Sequence, residues 1–221
     1  MKVFIETVIA VALTMVGYCE KATNAYLLDF ERNAGSSNFQ RFGAELDAVH
    51  YFNGPKNGKE WCTQFIAWIF WIASGKDIEK TKKVLRVPLN EENLSAGCEY
   101  IRAYFRAAGA YDAMPCVGDL LLFTTTRGSV SADHVGLLKE IGADGTIYTI
   151  EGNKDNMVCE CKYPRDYWKI LGYCHPAYDN QNKEISDLEK DYAELLQIKA
   201  EQEERLASLE EKMAIIKKTV A

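Results

Sequence analysis

The stretch Lys59–Ser74, KEWCTQFIAWIFWIAS, restricts the possible folds of this chain more than any other. Cys62, Phe65, Ile66, Ile69, Phe70 and Ala73 recur at three- and four-residue steps, and Trp61, Gln64, Trp68 and Trp71 make a second stripe. A helix this apolar on most sides must be buried. The breaker cluster Asn53-Gly54-Pro55-Lys56-Asn57-Gly58 stands just ahead of it and places Cys62 where a loop turns into a helix. At such an N-terminus, unpaired backbone N–H groups and the helix dipole favour a thiolate. Two readings follow for Cys62: a small buried hydrophobe or a nucleophile, and only a partner base separates them.

With 221 residues, 48% of them hydrophobic, the chain holds enough apolar material for one sizeable domain and an appendage. Its net charge of −6, from 26 Lys and Arg against 32 Asp and Glu, argues against broad phosphate-driven binding, so no nucleic acid is expected as a partner. The seven cysteines form no C-x-x-C pair and read as reduced thiols, which suits synthesis in a cytoplasm. Cys159 and Cys161 are spaced to share a strand face, but with only three histidines no metal site is assigned.

Near the start, Lys2 and the run VIAVALTMVG imitate an export signal, yet Glu6 interrupts the run and no small-x-small cleavage pattern follows. Ile5, Val8, Ile9, Ala12, Met15 and Val16 instead have helical spacing, with Gly17 as a stop. A domain helix is expected, without membrane insertion, since the run is far below the ~20 residues that span a bilayer. Short amphipathic pieces around the turn cluster 33–38 follow, and after Gly75 comes a Lys-rich connector. A second amphipathic helix is expected over 93–108.

From Gly118 the period changes to that of strands: Asp119–Thr125, His134–Ile141, Thr146–Glu151 and Trp168–Cys174. The Asp144-Gly145 signal makes the middle two a hairpin. If its loop holds an even number of residues, Ile141 pairs Thr146, Glu151 lies across from Gly136, and Asn153 lies across from His134, all on one sheet face. An odd loop turns Glu151 to the other face. A histidine and a carboxylate on one face are the parts of a general base and its orienter.

Four motifs in order, Trp61-Cys62-Thr63-Gln64-Phe65 with Trp68, Gly118-Asp119-Leu120, Asp133-His134-Val135-Gly136 and Glu151-Gly152-Asn153, resemble the CHAP family. This is the cysteine, histidine-dependent amidohydrolase/peptidase family of bacterial and phage cell-wall hydrolases. The likeness spans roughly Trp61 to Cys174, and the upstream stretch from Val16 to Gly35 is similar to leaders of phage CHAP amidases. It implies an α+β, papain-like core in which N-terminal helices pack on an antiparallel sheet and the nucleophile starts a buried helix. It makes Cys62 the nucleophile, His134 the base, Glu151 its orienter and Asn153 an auxiliary polar residue near the histidine. The implied substrate is bacterial peptidoglycan, cut by an amidase or endopeptidase, with no cofactor. Calcium, used by some relatives, stays unassigned because no D-x-[DN]-x-[DN]-G loop is present. A protein made in a host cytoplasm and reaching the wall later, as in phage lysis, fits the missing export signal. The alternative is a non-catalytic assembly protein whose CHAP-like part only binds cell wall.

The expected organisation is a catalytic domain over 1–178 and a helix over 180–221. The tail lacks Gly, Pro and Cys and counts as heptads. With Ile185 at a, the seam reads Ile185, Tyr192, Lys199, Leu206, Met213 and Val220 at a, and Leu188, Leu195, Gln202, Leu209 and Ile216 at d. Nine of these eleven positions are apolar, which suggests a homo-oligomer through 185–220, with Lys199 and Gln202 setting register.

Overall fold

In the computed structural model, described for residues 2–179 and for the helical, exposed positions Gln197, Lys199 and Gln202, the chain divides into two compact units, Met1–Asp179 and Asn180–Ala221. The heptad seam over 185–220 lies, but for Lys199 and Gln202, outside the described residues.

The first unit is α+β. Its helices are α1 (Ile5–Leu13), α2 (Arg41–Ala48), α3 (Cys62–Ala73), α4 (Ile78–Val84) and α5 (Cys98–Ala107). Its strands are β1 (Tyr111–Asp112), β2 (Leu120–Phe123), β3 (His134–Ile141), β4 (Ile147–Lys154), β5 (Met157–Tyr163) and β6 (Ile170–Cys174). They form one antiparallel sheet in the order β1-β6-β2-β3-β4-β5.

Helix α3 is the centre, as its composition demands: every residue except Ile72 is buried. It packs against α1, α2 and α4, and against β3 and β4. Phe65, Ile66, Ile69 and Phe70 are all fully enclosed, each contributing roughly 2 kcal/mol of apolar burial, so the helix is firmly held. Polar anchors fix its angle. Trp68 Nε1 donates to Glu45 Oε2 of α2 at 2.9 Å, and Trp61 Nε1 donates to the buried Glu20 Oε2 at 2.7 Å. Buried Gln64 donates to the carbonyls of Lys56, Lys59 and Glu60, tying the breaker loop beneath the helix start.

Helix α1 covers the spacing expected of it and buries Val8 and Ala12; Gly17, at φ +89°, ends the turn that follows. The chain then runs beside β5, where Gly17 and Val158, and Val158 and Tyr18, exchange backbone hydrogen bonds. This covers part of an edge that would otherwise present unpaired groups. Besides the two-residue β1, two elements were not expected from the sequence. The Lys-rich connector contains α4, whose N-cap Asp77 accepts from Lys80 N and whose Thr81 and Val84 are buried. Strand β5 was legible only as the Cys159/Cys161 alternation.

Sheet alternation separates two cores. Leu120, Leu122, Val135, Leu137 and Ile150 join the helices, while Leu121, Phe123, Leu138, Ile147 and Tyr173 form a smaller cluster on the opposite face. The run Leu120–Phe123 is wholly apolar because both of its faces are covered.

Candidate active site

The β3–β4 hairpin has the odd loop, yet His134 and Glu151 share a face. Ile141 pairs Ile147, leaving a five-residue loop, which by itself turns Glu151 away from the histidine. A bulge between Leu138 and Glu140 adds the compensating residue, so beyond it Leu138 pairs Thr149 and Leu137 pairs Ile150. Gly136 then faces Glu151, and the fit requires glycine: a Cβ there would stand 2.7 Å from Glu151 Cγ. His134, Gly136, Thr149 and Glu151 consequently share the face turned away from the body of α3.

Glu151 is fully buried, and its Oε2 meets His134 Nε2 at 2.9 Å. Its other oxygen accepts from Thr149 Oγ1 at 2.5 Å, two residues back on the same face. Phe123 lies against the imidazole with ring centroids 5.8 Å apart, and Tyr163 packs on Phe123 at 5.2 Å. Burial, with Glu151 beside it, pushes the Tyr163 hydroxyl far up and keeps it protonated.

Cys62 is the first residue of α3, behind an N-cap, Trp61, that gives no side-chain cap. Its Sγ lies 3.8 Å from Cys98 Sγ. The thiol is pulled down to about 5, first by the hydrogen bond from Cys98, against the opposing effect of burial, and then by a hydrogen bond and charge attraction to His134 and the Thr63 backbone N–H. His134 is pushed up to about 9: burial opposes the charge, but the hydrogen bonds to Cys62 and Glu151 outweigh it. With Nε2 engaged by Glu151, Nδ1 is the ring nitrogen left for a second partner. Cys98 is held well above the usual thiol range by its bond to Cys62 and by burial, so it keeps its proton and donates it. The arrangement is a thiolate–imidazolium pair with a carboxylate behind the imidazolium, which can attack a carbonyl and protonate a leaving group.

Cys62, His134, Glu151 and Asn153 all line one open cleft of about 430 Å³. Thr125, Lys154, Tyr167 and Lys169 lie along it as well. The Asn153 amide, however, turns to Glu60 and not to the imidazole. At φ +61° the residue leaves the strand alternation at a bulge. A Gly152 Cβ would lie 2.5 Å from Phe65 Cβ, so this glycine is what admits α3 to β4.

Sequence reasoning missed Cys98, which no motif marks, and Thr149, which the strand period does place on the Glu151 face. It also missed Glu99 of α5, whose carboxylate accepts from Ala132 N at 2.6 Å and holds the segment entering His134. His175, which matches no motif, bridges Asp119 at 2.8 Å and Asp112 at 3.0 Å. Among the described residues, Cys116, Asp119 and His175 bring possible metal-ligand atoms within 4.8 Å of one another. Both ring nitrogens of His175 are already held by carboxylates there. No helix among the described residues is long and apolar enough to cross a membrane.

No curated protein matches the chain. Among solved structures, the crystal structure of Ly7917 is similar with a TM-score of 0.43 at 10% identity, covering 78% of this chain and 62% of that one. The crystal structure of Ly7917 with the hydrolyzing product of MDP gives 0.46 at 11% identity over the same shares. The chain thus spans less than two thirds of that protein's length. The family model described as the CHAP domain matches residues 54–153, from the breaker loop through Cys62, His134 and Glu151 to Asn153.

Proposed function

We propose that the protein is a peptidoglycan hydrolase of the phage lysis type, an amidase or endopeptidase with Cys62 as nucleophile. The observation that carries this reading is the polarised pair, a Cys62 thiol pulled down to about 5 beside a His134 pushed up to about 9, opening on a cleft within a CHAP domain. The Cys62 sulfur attacks an amide carbonyl carbon, forming the C–S bond and moving negative charge to oxygen, where the Cys62 backbone N–H at the start of α3 supports it. His134 gives its proton to the leaving amine as the C–N bond breaks. It then takes a proton from the water that frees the acyl group. Glu151 orients the imidazole and stabilises its charged form; Asn153 holds Glu60 at the cleft rather than acting on the histidine.

The substrate bond is that between muramic acid and L-alanine, or one within the peptide stem or cross-bridge. In the proposed organisation residues 1–178 are catalytic and 180–221 associate copies of the chain, which adds avidity for a repetitive wall. Wild type and Cys62→Ala are compared on purified peptidoglycan by turbidity and by new amino termini. Clearing by wild type alone supports the assignment; equal clearing by both overturns it. Light scattering on a chain ending at Asp179 should give a smaller species, and an unchanged oligomeric state would remove the tail's role.

A further inference from the structure

Cys98 has a place that the hydrolytic reading does not use fully. It opens α5 behind Gly97, as Cys62 opens α3, and the two sulfurs are 3.8 Å apart with exposures of 6% and 7%. Cys62 lines the cleft and Cys98 does not, so an oxidant entering from solvent meets Cys62 with Cys98 behind it. A reactive thiolate backed by a second thiol is the arrangement of an attacking and a resolving cysteine. Closing to a disulfide length near 2.05 Å needs roughly 1.8 Å of sulfur movement, within reach of side-chain rotation at two helix starts.

We propose that hydrogen peroxide drives Cys62 and Cys98 into a reversible disulfide that silences the cleft until a dithiol reduces it. The silencing rests on Cys62 being the nucleophile; the cross-link rests on the sulfur geometry alone. The Cys62 thiolate attacks one peroxide oxygen: an S–O bond forms, the O–O bond breaks, and the hydroxide released takes a proton and becomes water. The Cys98 sulfur then attacks the Cys62 sulfur: the S–S bond forms, the S–O bond breaks, and the departing hydroxide carries off the Cys98 proton as a second water. Two thiols are oxidised and one peroxide is reduced to two waters. Because Cys98 intercepts the sulfenic acid, Cys62 is spared the irreversible step to sulfinic acid.

The full chain is treated with peroxide, its remaining thiols are alkylated, and tryptic peptides are mapped by mass spectrometry. Cleavage after Lys59, Lys76, Arg86 and Arg102 puts the two cysteines on separate peptides. The expected result is a linked pair of these peptides, lighter by two hydrogens than the free peptides together, with clearing of peptidoglycan lost and then restored by dithiothreitol. Cys98→Ser and Cys98→Ala, each compared with its own untreated activity, should instead carry sulfinic acid at Cys62 and stay inactive after dithiothreitol. Wild type without the linked pair, while Cys62→Ala is inactive, overturns the switch and leaves the hydrolase reading standing. A linked protein that still clears peptidoglycan overturns both. The wild-type map decides alone if neither variant folds.

Discussion

The Glu151 carboxylate, fully enclosed, holds His134 Nε2 at 2.9 Å from the face of the sheet that α3 does not cover. The imidazole is thereby held at Nε2, with its other ring nitrogen left for a second partner, and its charged form gains a carboxylate neighbour. Glu151→Gln keeps the shape of the side chain and removes that charge. It should lower kcat about 100-fold or more, the scale of a mispositioned general acid–base group. The alkaline limb of kcat/KM should also move to lower pH, because the carboxylate raises the His134 value. An unmoved limb would mean that Glu151 has only a packing role.

Between about 5 and 9 the site holds the thiolate and the imidazolium together. As pH falls through the lower value the thiolate is protonated and the nucleophile is lost. As pH rises through the upper value the imidazolium loses the proton that the leaving amine needs. The profile of kcat/KM should therefore be a broad bell with a plateau across neutrality. Rapid alkylation of Cys62, followed by mass spectrometry, should retain the acidic limb near 5. A limb near the ordinary thiol value would overturn the ion pair.

Asn153 offers the contrasting case, since its amide goes to Glu60 and not to the imidazole. Asn153→Ala should leave the alkaline limb where it is in wild type and change KM more than kcat, because it alters the cleft wall and not the proton carrier. A shift of that limb comparable to the one in Glu151→Gln would restore Asn153 to the histidine.

Much of this was legible in the order of residues, for identifiable reasons. A helix as apolar as Lys59–Ser74 has only one environment open to it, and strand alternation narrowed His134 and Glu151 to one face or opposite faces according to the parity of the hairpin loop. The bulge at Lys139 was not legible: an even loop and an odd loop with one bulge give the same register near Glu151, and only coordinates separate them. Helix α4 was hidden because its three lysines mask the two positions that it buries, Thr81 and Val84. Cys98 was hidden because the partner that gives it meaning lies 36 residues away in the sequence, and no local pattern encodes a sulfur–sulfur distance.

Gly152 sits between Glu151 and Asn153, where its missing side chain sets how near α3 comes to the sheet. A Cβ there would press Phe65 at 2.5 Å from its Cβ and 2.6 Å from its Cγ, and Phe65 is anchored within the aromatic cluster of Phe42, Trp61 and Trp68. The phenyl ring has nowhere to retreat, so Gly152→Ala must lift α3, and with it Cys62, from β4. Overpacking of this kind costs about 2 kcal/mol. Urea unfolding should show a lower midpoint with an unchanged slope. Activity should fall further than stability explains, because a small displacement of the thiol from the imidazole is felt directly in the reaction. A Gly152→Ala protein with wild-type midpoint and wild-type kcat would show that α3 has slack at this contact and that the close approach does not set the distance between sulfur and imidazole.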